Sequence, residues 1–288
     1  MTDGYALLDS GDGRKLERVG PVLLDRQATA AFWRPRRPRA EWDKVDAYHH
    51  RSDQGGGRWE LRRALPASWD VEYGGLTLRI KPTGFGHLGL FAEHADAWTW
   101  LRETCRAATA RGAPPQVLNL FAYTGGATLA CAQGGASVCH VDAAKGVVDW
   151  ARENAALNDL AERPLRWIVD DVVEFLRREE RRGRAYDGVV LDPPSFGRGA
   201  RGQVWKIEES VGALLDQTAR VLSKTPAFVF FSCHSPGFTP LVLENLLRER
   251  FDLAGCDVAS GEMSVAEADG GRRLPAGAFA RFRRASSP

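Results

Sequence analysis

Apolar and polar positions alternate from the start of the chain. In residues 5–27, YALLDSGDGRKLERVGPVLLDRQ, the alternation runs on either side of an Asp-Gly turn and predicts two short strands. A Pro/Arg-rich link, WRPRRPR, and a glycine run at residues 55–57 follow. RWELRRALP and WDVEYGGLTLRIKP then supply further alternating strands with a Gly-Gly turn. Residues 1–92 therefore read as a small β-rich accessory module, with substrate binding as its expected role. From residue 95 the period becomes helical, and residues 95–110 form a helix leading into the first core strand.

The centre of the chain has a different texture. Residues 117–121, VLNLF, are a continuous apolar run of strand length, as a buried strand requires. Tyr123, Thr124, Gly125 and Gly126 then turn the chain, and glycine lets the amides approach a ligand with no Cβ in the way. A small-residue helix, a second strand ending at Asp142 and another helix to Asn158 complete the segment. Asp142 stands about 20 residues beyond the turn, where a ribose-binding carboxylate belongs in a Rossmann-like half. The segment reads as a nucleoside-cofactor site, against the alternative of a core turn without a ligand. Nicotinamide dinucleotides call for G-x-G-x-x-G here, because the pyrophosphate needs backbone amides and a helix N-terminus. The turn reads F-A-Y-T-G-G-A-T instead. S-adenosylmethionine has no phosphate to cradle, so a looser turn and a ribose-binding acid suffice.

Residues 187–196, DGVVLDPPSF, are an apolar strand that stops at Asp192 and runs into Pro193 and Pro194. Neither proline continues a ladder and both fix φ near about −65°, so the loop is stiff. A rigid acid and the ring of Phe196 at the carboxyl end of a sheet can grip a planar base by hydrogen bonding and stacking.

Between residues 82 and 235 the stretches TGFGHLGLF, LNLFAYTGG, HVDAAKGVVDWARENAALN, VDDVVEFL, LDPPSF and FFSCHS carry a specific resemblance. The chain resembles class I S-adenosylmethionine-dependent methyltransferases of the bacterial 23S ribosomal RNA large-subunit methyltransferase I-like group. The resemblance implies an α/β, Rossmann-like, seven-stranded and mainly parallel sheet with helices on both faces and a reversed final strand, here over residues 93–288. It implies that Asp142 binds the ribose hydroxyls, Asp171 the adenine amino group, and that Asp192 lies between methyl donor and target base. The expected contacts to S-adenosyl-L-methionine are Phe121, Tyr123, Thr124, Gly125, Gly126, Asp142, Ala143, Asp170, Asp171, Asp192 and Pro193. The group's fuller members carry a separate RNA-binding domain in front, which residues 1–92 do not visibly match.

Two of these assignments have competing readings. Asp171 and Glu174 have capping-box spacing before VVEFLRREE, so Asp171 also reads as a helix N-cap, with Asp170 the alternative ligand. In TGFGHLGLFAEHADAW the group places an aromatic, an acid and a glutamine over the cofactor. Phe91, Glu93 and His94 occupy those places here, and imidazole can donate or accept as an amide does.

Composition bounds the rest. With 288 residues, 44% hydrophobic and 26% charged, the chain can hold a catalytic domain and a small accessory one. No run of about 18 apolar residues and no signal peptide is visible, so no membrane partner is expected. Five cysteines without CxxC or Cys/His ligand spacing point to reduced thiols in the cytoplasm, with neither disulfides nor metal. The net charge of +2 does not by itself demand a nucleic-acid partner. Arginine is locally clustered, however, at Arg34, Arg36, Arg37 and Arg39 and at Arg58, Arg62 and Arg63, open to phosphate binding or to simple solvation. RREERRGR at residues 177–184 reads as a solvated helix end, because its glutamates sit among the arginines. Arg198 and Arg201 follow DPPSF directly and join Pro194 and Phe196 as expected RNA-substrate contacts.

Cys233 decides the expected reaction. It ends the aromatic strand FVFFSC, where the resembled cytosine-C5 enzymes place a nucleophile in Ser-Cys-Ser. Carbon 5 of a pyrimidine needs a thiolate to add first at carbon 6, which makes Cys233 and Asp192 the expected catalytic pair. Cysteine is also among the most buried residue types, and strand neighbours point oppositely, so His234 need not serve it. Three readings stand open: a methyltransferase acting on cytosine C5 in ribosomal RNA, one acting on a base nitrogen or a small molecule with Cys233 inert, and a nicotinamide enzyme or silent RNA-binding module.

Overall fold

The computed structural model describes residues 4–52, 56–198 and 204–284. They fall into two compact units, Met1–Ala95 with Ser264–Ala276, and Asp96–Met263 with Gly277–Pro288. No helix among the described residues is long and apolar enough to cross a membrane.

In the first unit, β1 (Tyr5–Gly11), β2 (Arg14–Val19) and β3 (Val22–Gln27) form an antiparallel meander. Three strands rather than the expected two occupy this stretch. Gly20, at φ 60°, and Pro21, which has no N–H to donate, reverse the chain a second time. After the short α1 (Arg39–Trp42), β4 (Ala47–Arg51) adds parallel to β3, and β5 (Gly57–Leu61) closes the five-stranded sheet. A hairpin of β6 (Trp69–Tyr73) and β7 (Leu76–Ile80) follows.

The WRPRRPR link folds around Asp9, which is 1% exposed. Its carboxylate accepts the backbone N–H groups of Ser10, Arg36 and Arg37 and the Trp42 indole N–H. Several arginines of this region are engaged within the unit. Arg36 pairs with Glu267 and Asp269, Arg37 with Glu41, Arg39 with Asp43 and Arg63 with Asp46.

The second unit begins with α2 (Ala95–Ala110) and alternates strand and helix: β8 (Gln116–Leu120), α3 (Gly126–Gln133), β9 (Ser137–Asp142), α4 (Lys145–Leu157), β10 (Leu165–Val169), α5 (Val172–Arg181), β11 (Gly188–Leu191). A small hairpin, β12 (Phe196–Arg198) with β13 (Val204–Lys206), precedes α6 (Ile207–Arg220), β14 (Phe228–Cys233), α7 (Pro240–Arg250), β15 (Cys256–Ala266) and β16 (Arg273–Arg284). The sheet order is β10-β9-β8-β11-β14-β16-β15. The first five of these are parallel and β16 runs antiparallel to β14, the reversed late strand that was expected.

Both faces of this sheet are covered, and the alternation along each strand sorts its residues between them. Leu118, Leu120, Val189, Leu191, Val229, Phe231 and Cys233 join one buried cluster with Phe175, Leu214 and Leu247 of α5, α6 and α7. The opposite positions of β14 face α2, where the Trp100 ring lies 5.7 Å from Phe228 and 6.0 Å from Phe230.

The RREERRGR stretch ends α5 with Arg177 and residues 180–184 exposed, as a solvated helix end should be, and Glu179 is the exception. Glu179 is fully buried, accepts the Tyr186 hydroxyl at 2.6 Å and holds Arg166 and Arg182. One carboxylate of the charged run is thus a structural anchor.

Glu17 plays the same part in the first unit, fully buried and paired with Lys15 and Arg26 and hydrogen-bonded by Tyr5. Burial alone would raise its pKa, but the two cations and the hydrogen bonds outweigh it and hold the group at about 2, from 4.5. A carboxylate with a depressed folded pKa stabilises above its unfolded pKa and ceases to as pH falls through the folded one. The linkage is worth about 3 kcal/mol at neutral pH and should disappear between about pH 4.5 and 2. Glu17→Gln should lower the urea midpoint at pH 7 and flatten the acid limb of the midpoint-versus-pH curve. An unchanged acid limb would show that Glu17 contributes nothing to it.

Candidate active site

Strand register places the site. Leu191 lies beside Leu120 and Phe231, and Leu120 beside Val141, so Phe121, Asp142, Asp192 and Ser232 emerge together at the carboxyl edge of the sheet.

The turn after β8 is strained and firmly held. Phe121 and Tyr123 have φ of 56° and 48°, a left-handed conformation that costs a non-glycine residue about 1–3 kcal/mol. Asp142 accepts the Tyr123 N–H and the Ala144 N–H, each at 3.0 Å. The Ala122 N–H donates to the Val141 carbonyl at 3.1 Å. Asn154 of α4, fully buried, donates its Nδ2–H to the Thr124 carbonyl at 2.9 Å. Burial raises the pKa of Asp142, and the amides of Ala144, Tyr123 and Ala143 offset part of that rise.

The two glycines also make room for neighbouring helices. A Cβ on Gly126 would stand 2.5 Å from the Trp98 ring, and one on Gly125 3.2 Å from the Ala151 Cβ. Their bare Cα atoms let α2 and α4 close on the turn. Gly125, at φ 91°, precedes α3, whose start has no side-chain cap and no acid in its first turn. Such a start suits an anionic group such as an amino-acid carboxylate.

At the end of β10, Val169 pairs with Asp142 in register and is 47% exposed. The Asp170 N–H donates to the Asp142 carbonyl at 3.0 Å, and its carboxylate pairs with Arg178. Asp171 caps α5 by accepting the Glu174 N–H at 3.0 Å.

Across the edge, Asp192 accepts the Ser232 hydroxyl at 2.8 Å, and His234 Nε2 lies 3.4 Å from the same oxygen. Pro193 is buried, whereas Pro194 is exposed and its carbonyl accepts the Trp205 indole N–H at 2.6 Å. The Trp205 ring lies 5.5 Å from that of Phe121, tying this loop to the turn after β8. Phe196 is 54% exposed at the start of β12. Arg198 ends that strand, and Arg201 lies outside the described residues.

Cys233, the last residue of β14, faces the buried cluster. It is 1% exposed, lies in the cluster covered by α5–α7, and its Sγ accepts the Ser235 N–H at 3.4 Å. Burial raises its thiol pKa, hydrogen bonding from Ser235 offsets only part of this, and Asp192 pushes the same way as burial. Ser232 and His234 have the opposite parity and turn to Asp192. Asn154, Ser232, Trp205 and Val169 are site residues that motif reading passed over. Asn154 and Ser232 lay inside the quoted stretches ENAALN and FFSCHS, as the polar residues of apolar runs.

The family described as S-adenosylmethionine-dependent methyltransferase matches residues 20–255. The chain belongs to that family. The methyltransferase is similar throughout to an S-adenosylmethionine-dependent methyltransferase of Agrobacterium tumefaciens, with 38% identity and a TM-score of 0.90 over 98% of this chain and 90% of that one. A putative methyltransferase solved in complex with SAH shares the fold, at TM-score 0.74 and 18% identity over 96% of this chain and 75% of that one. Among curated relatives, the ribosomal RNA large subunit methyltransferase K/L of Stutzerimonas stutzeri is 33% identical over 204 residues, 70% of this chain and 26% of that protein. That of Marinobacter nauticus is 29% identical over 203 residues, 69% of this chain and 26% of that protein. The methyltransferase thus spans about a quarter of the length of these relatives. They carry the K/L name, whereas the motifs resembled the methyltransferase I-like group.

The donor set fits S-adenosylmethionine. Asp142 offers a carboxylate to vicinal hydroxyls, Val169 an exposed apolar surface beside it, and α3 an uncapped start. Asp142→Ala should weaken S-adenosylhomocysteine binding by about 1–3 kcal/mol, through both the lost acceptor and the loosened turn. Calorimetry checks this, with circular dichroism to confirm folding, and NAD should give no heat in either protein.

Proposed function

We propose that this methyltransferase modifies RNA, transferring the methyl group to a base nitrogen presented to Asp192, with Cys233 inert. The observation that carries the reading is the division at the end of β14. Ser232 and His234 turn to Asp192, while Cys233 enters the apolar core. A thiol buried and raised in pKa has little thiolate at neutral pH. The RNA substrate is supported by the names of the K/L relatives and by the exposed Phe196 beside the site. Residues 1–92 would then act as the accessory, substrate-binding part and residues 93–288 as the catalytic part, working on ribosomal RNA in the cytoplasm.

Bound S-adenosylmethionine supplies an electrophilic methyl group on a sulfonium. The chain's own residues do the rest. Ser232 orients the Asp192 carboxylate by donating to it, and Asp192 accepts a hydrogen bond from the N–H of the target nitrogen. That bond fixes the direction of the nitrogen lone pair and draws the proton that the nitrogen must lose. His234, beside the same carboxylate oxygen and partly exposed, can relay the proton to water. Phe196 stacks on the base, and Pro193 and Pro194 hold the loop stiff beneath it.

Cys233→Ala should keep methyl transfer within a few-fold of the parent, and RNA containing 5-fluorocytidine should trap no covalent adduct. Asp192→Ala should reduce transfer by roughly 10²–10⁴-fold while S-adenosylhomocysteine still binds. Loss of activity in Cys233→Ala together with a trapped adduct would overturn the nitrogen reading and restore cytosine C5.

A further inference from the structure

The loop at residues 83–87, TGFGH, belongs to the first unit, and the proposed chemistry makes no use of it. Three side chains from the five-stranded sheet hold its backbone. The Trp59 indole N–H donates to the Thr83 carbonyl at 2.8 Å, His49 Nε2–H to the Gly84 carbonyl at 3.2 Å, and the Arg26 guanidinium to the Gly86 carbonyl at 2.7 Å. Inside the loop the Gly86 N–H donates to the Thr83 carbonyl at 2.9 Å, and the Thr83 N–H and hydroxyl both donate to the His87 carbonyl at 3.0 Å.

The supports are themselves fixed. His49 is 3% exposed and fits between two glycines, where a Cβ on Gly57 would stand 2.7 Å from its ring and one on Gly86 2.6 Å. Arg26 is locked by the fully buried Glu17 at 2.7 Å. Residues from three strands and the loop's own turn therefore give Phe85 a rigid mount. On it, Phe85 leaves 68% of its surface in water. A single exposed phenylalanine is ordinary. One carried at the tip of a loop whose carbonyls are taken by three donors cannot fold back to hide its ring.

The surroundings favour an anion. Arg26, Arg51 and Lys15 lie close enough for their charges to bear on His87 in the same loop, opposed by Glu93. Lys15 and Arg26 share Glu17, which leaves that trio net positive. The Phe85 ring lies 6.5 Å from that of His87, and a fixed aromatic face on a loop that cations approach is the pairing that holds unpaired nucleic-acid bases by stacking while the charges attract the backbone.

We propose that Phe85 is a fixed stacking surface for an unpaired base of the RNA substrate. The proposal rests on the RNA reading given above and adds a residue remote in sequence from the catalytic strand ends. Phe85→Ala, Phe85→Leu and Phe85→Trp in the full chain test it, with fluorescence anisotropy of a labelled single-stranded RNA of about a dozen nucleotides, within the range of a single-strand site. Alanine and leucine should each weaken binding by roughly five- to 150-fold, because leucine keeps apolar area but loses the π-face, whereas tryptophan should bind at least as well as the parent. All three should bind S-adenosylhomocysteine as the parent does, which also certifies folding. In RNA carrying 4-thiouridine, ultraviolet cross-links should map to the peptide containing residue 85. Parent-like RNA binding by Phe85→Ala overturns the proposal, as does parent-like binding by Phe85→Leu, which would indicate a plain apolar contact. Weakened S-adenosylhomocysteine binding with intact RNA binding also overturns it and assigns the ring to the cofactor. No RNA binding by the parent protein overturns the RNA reading itself, and the two failures are thus told apart.

Discussion

A sheet covered on both faces leaves each strand residue only two directions, and successive residues must take them in turn. That constraint settles most of the active edge. Val189 and Leu191 of β11 enter the cluster under α5–α7, so Asp192, next in line, turns the other way. On β14, Val229, Phe231 and Cys233 enter the same cluster, so Ser232 and His234 have the parity of Asp192 and meet it. Parallel register between β11 and β14, with Leu191 beside Phe231, then brings hydroxyl and carboxylate to 2.8 Å.

How far the sequence reveals this depends on what each residue's role requires. Buried parallel strands are written as unbroken apolar runs, so β8 and β11 are visible, and the acids that stop β9 and β11 mark the carboxyl edge. The fold class and the positions of Asp142 and Asp192 follow from that. The strands that pattern reading missed are written differently. β4, AYHHR, carries two histidines because His49 supports a loop instead of filling the core. β15 and β16 are long and partly exposed, with glycine and arginine breaking their alternation.

Carboxylates show the limit most clearly. Asp9, Glu17 and Glu179 are as buried as leucines, yet nothing in their neighbourhoods separates them from solvated acids. Their partners come from elsewhere: Trp42 reaches Asp9 across 33 positions and Arg166 reaches Glu179 across 13. Charge type is legible in a sequence, whereas pairing is a property of the fold. The glycines of the turn after β8 show the converse. Their presence correctly marks a tight turn, but the neighbour that excludes a side chain is Trp98, nearly 30 positions upstream of Gly126. Asp171 realises the N-cap half of the capping-box spacing in its bond to the Glu174 N–H, while the Glu174 carboxylate holds Arg177.

The strained turn after β8 has an energetic meaning beyond its shape. Phe121 and Tyr123 in left-handed conformations would relax in an unsupported loop, since each costs about 1–3 kcal/mol. Here Asp142 holds the Tyr123 amide, Asn154 the Thr124 carbonyl and Val141 the Ala122 amide, all from elements packed in the core. Folding free energy therefore sets the conformation before any ligand arrives. A loop ordered only on binding would subtract its ordering entropy, about 1–2 kcal/mol per residue, from the affinity. One of those three bonds comes from Asp142, whose carboxylate also accepts the Ala144 N–H at the same edge. Burial raises its pKa, and the amides of Ala144, Tyr123 and Ala143 offset part of that rise, so the same bonds that hold the turn favour the charged carboxylate.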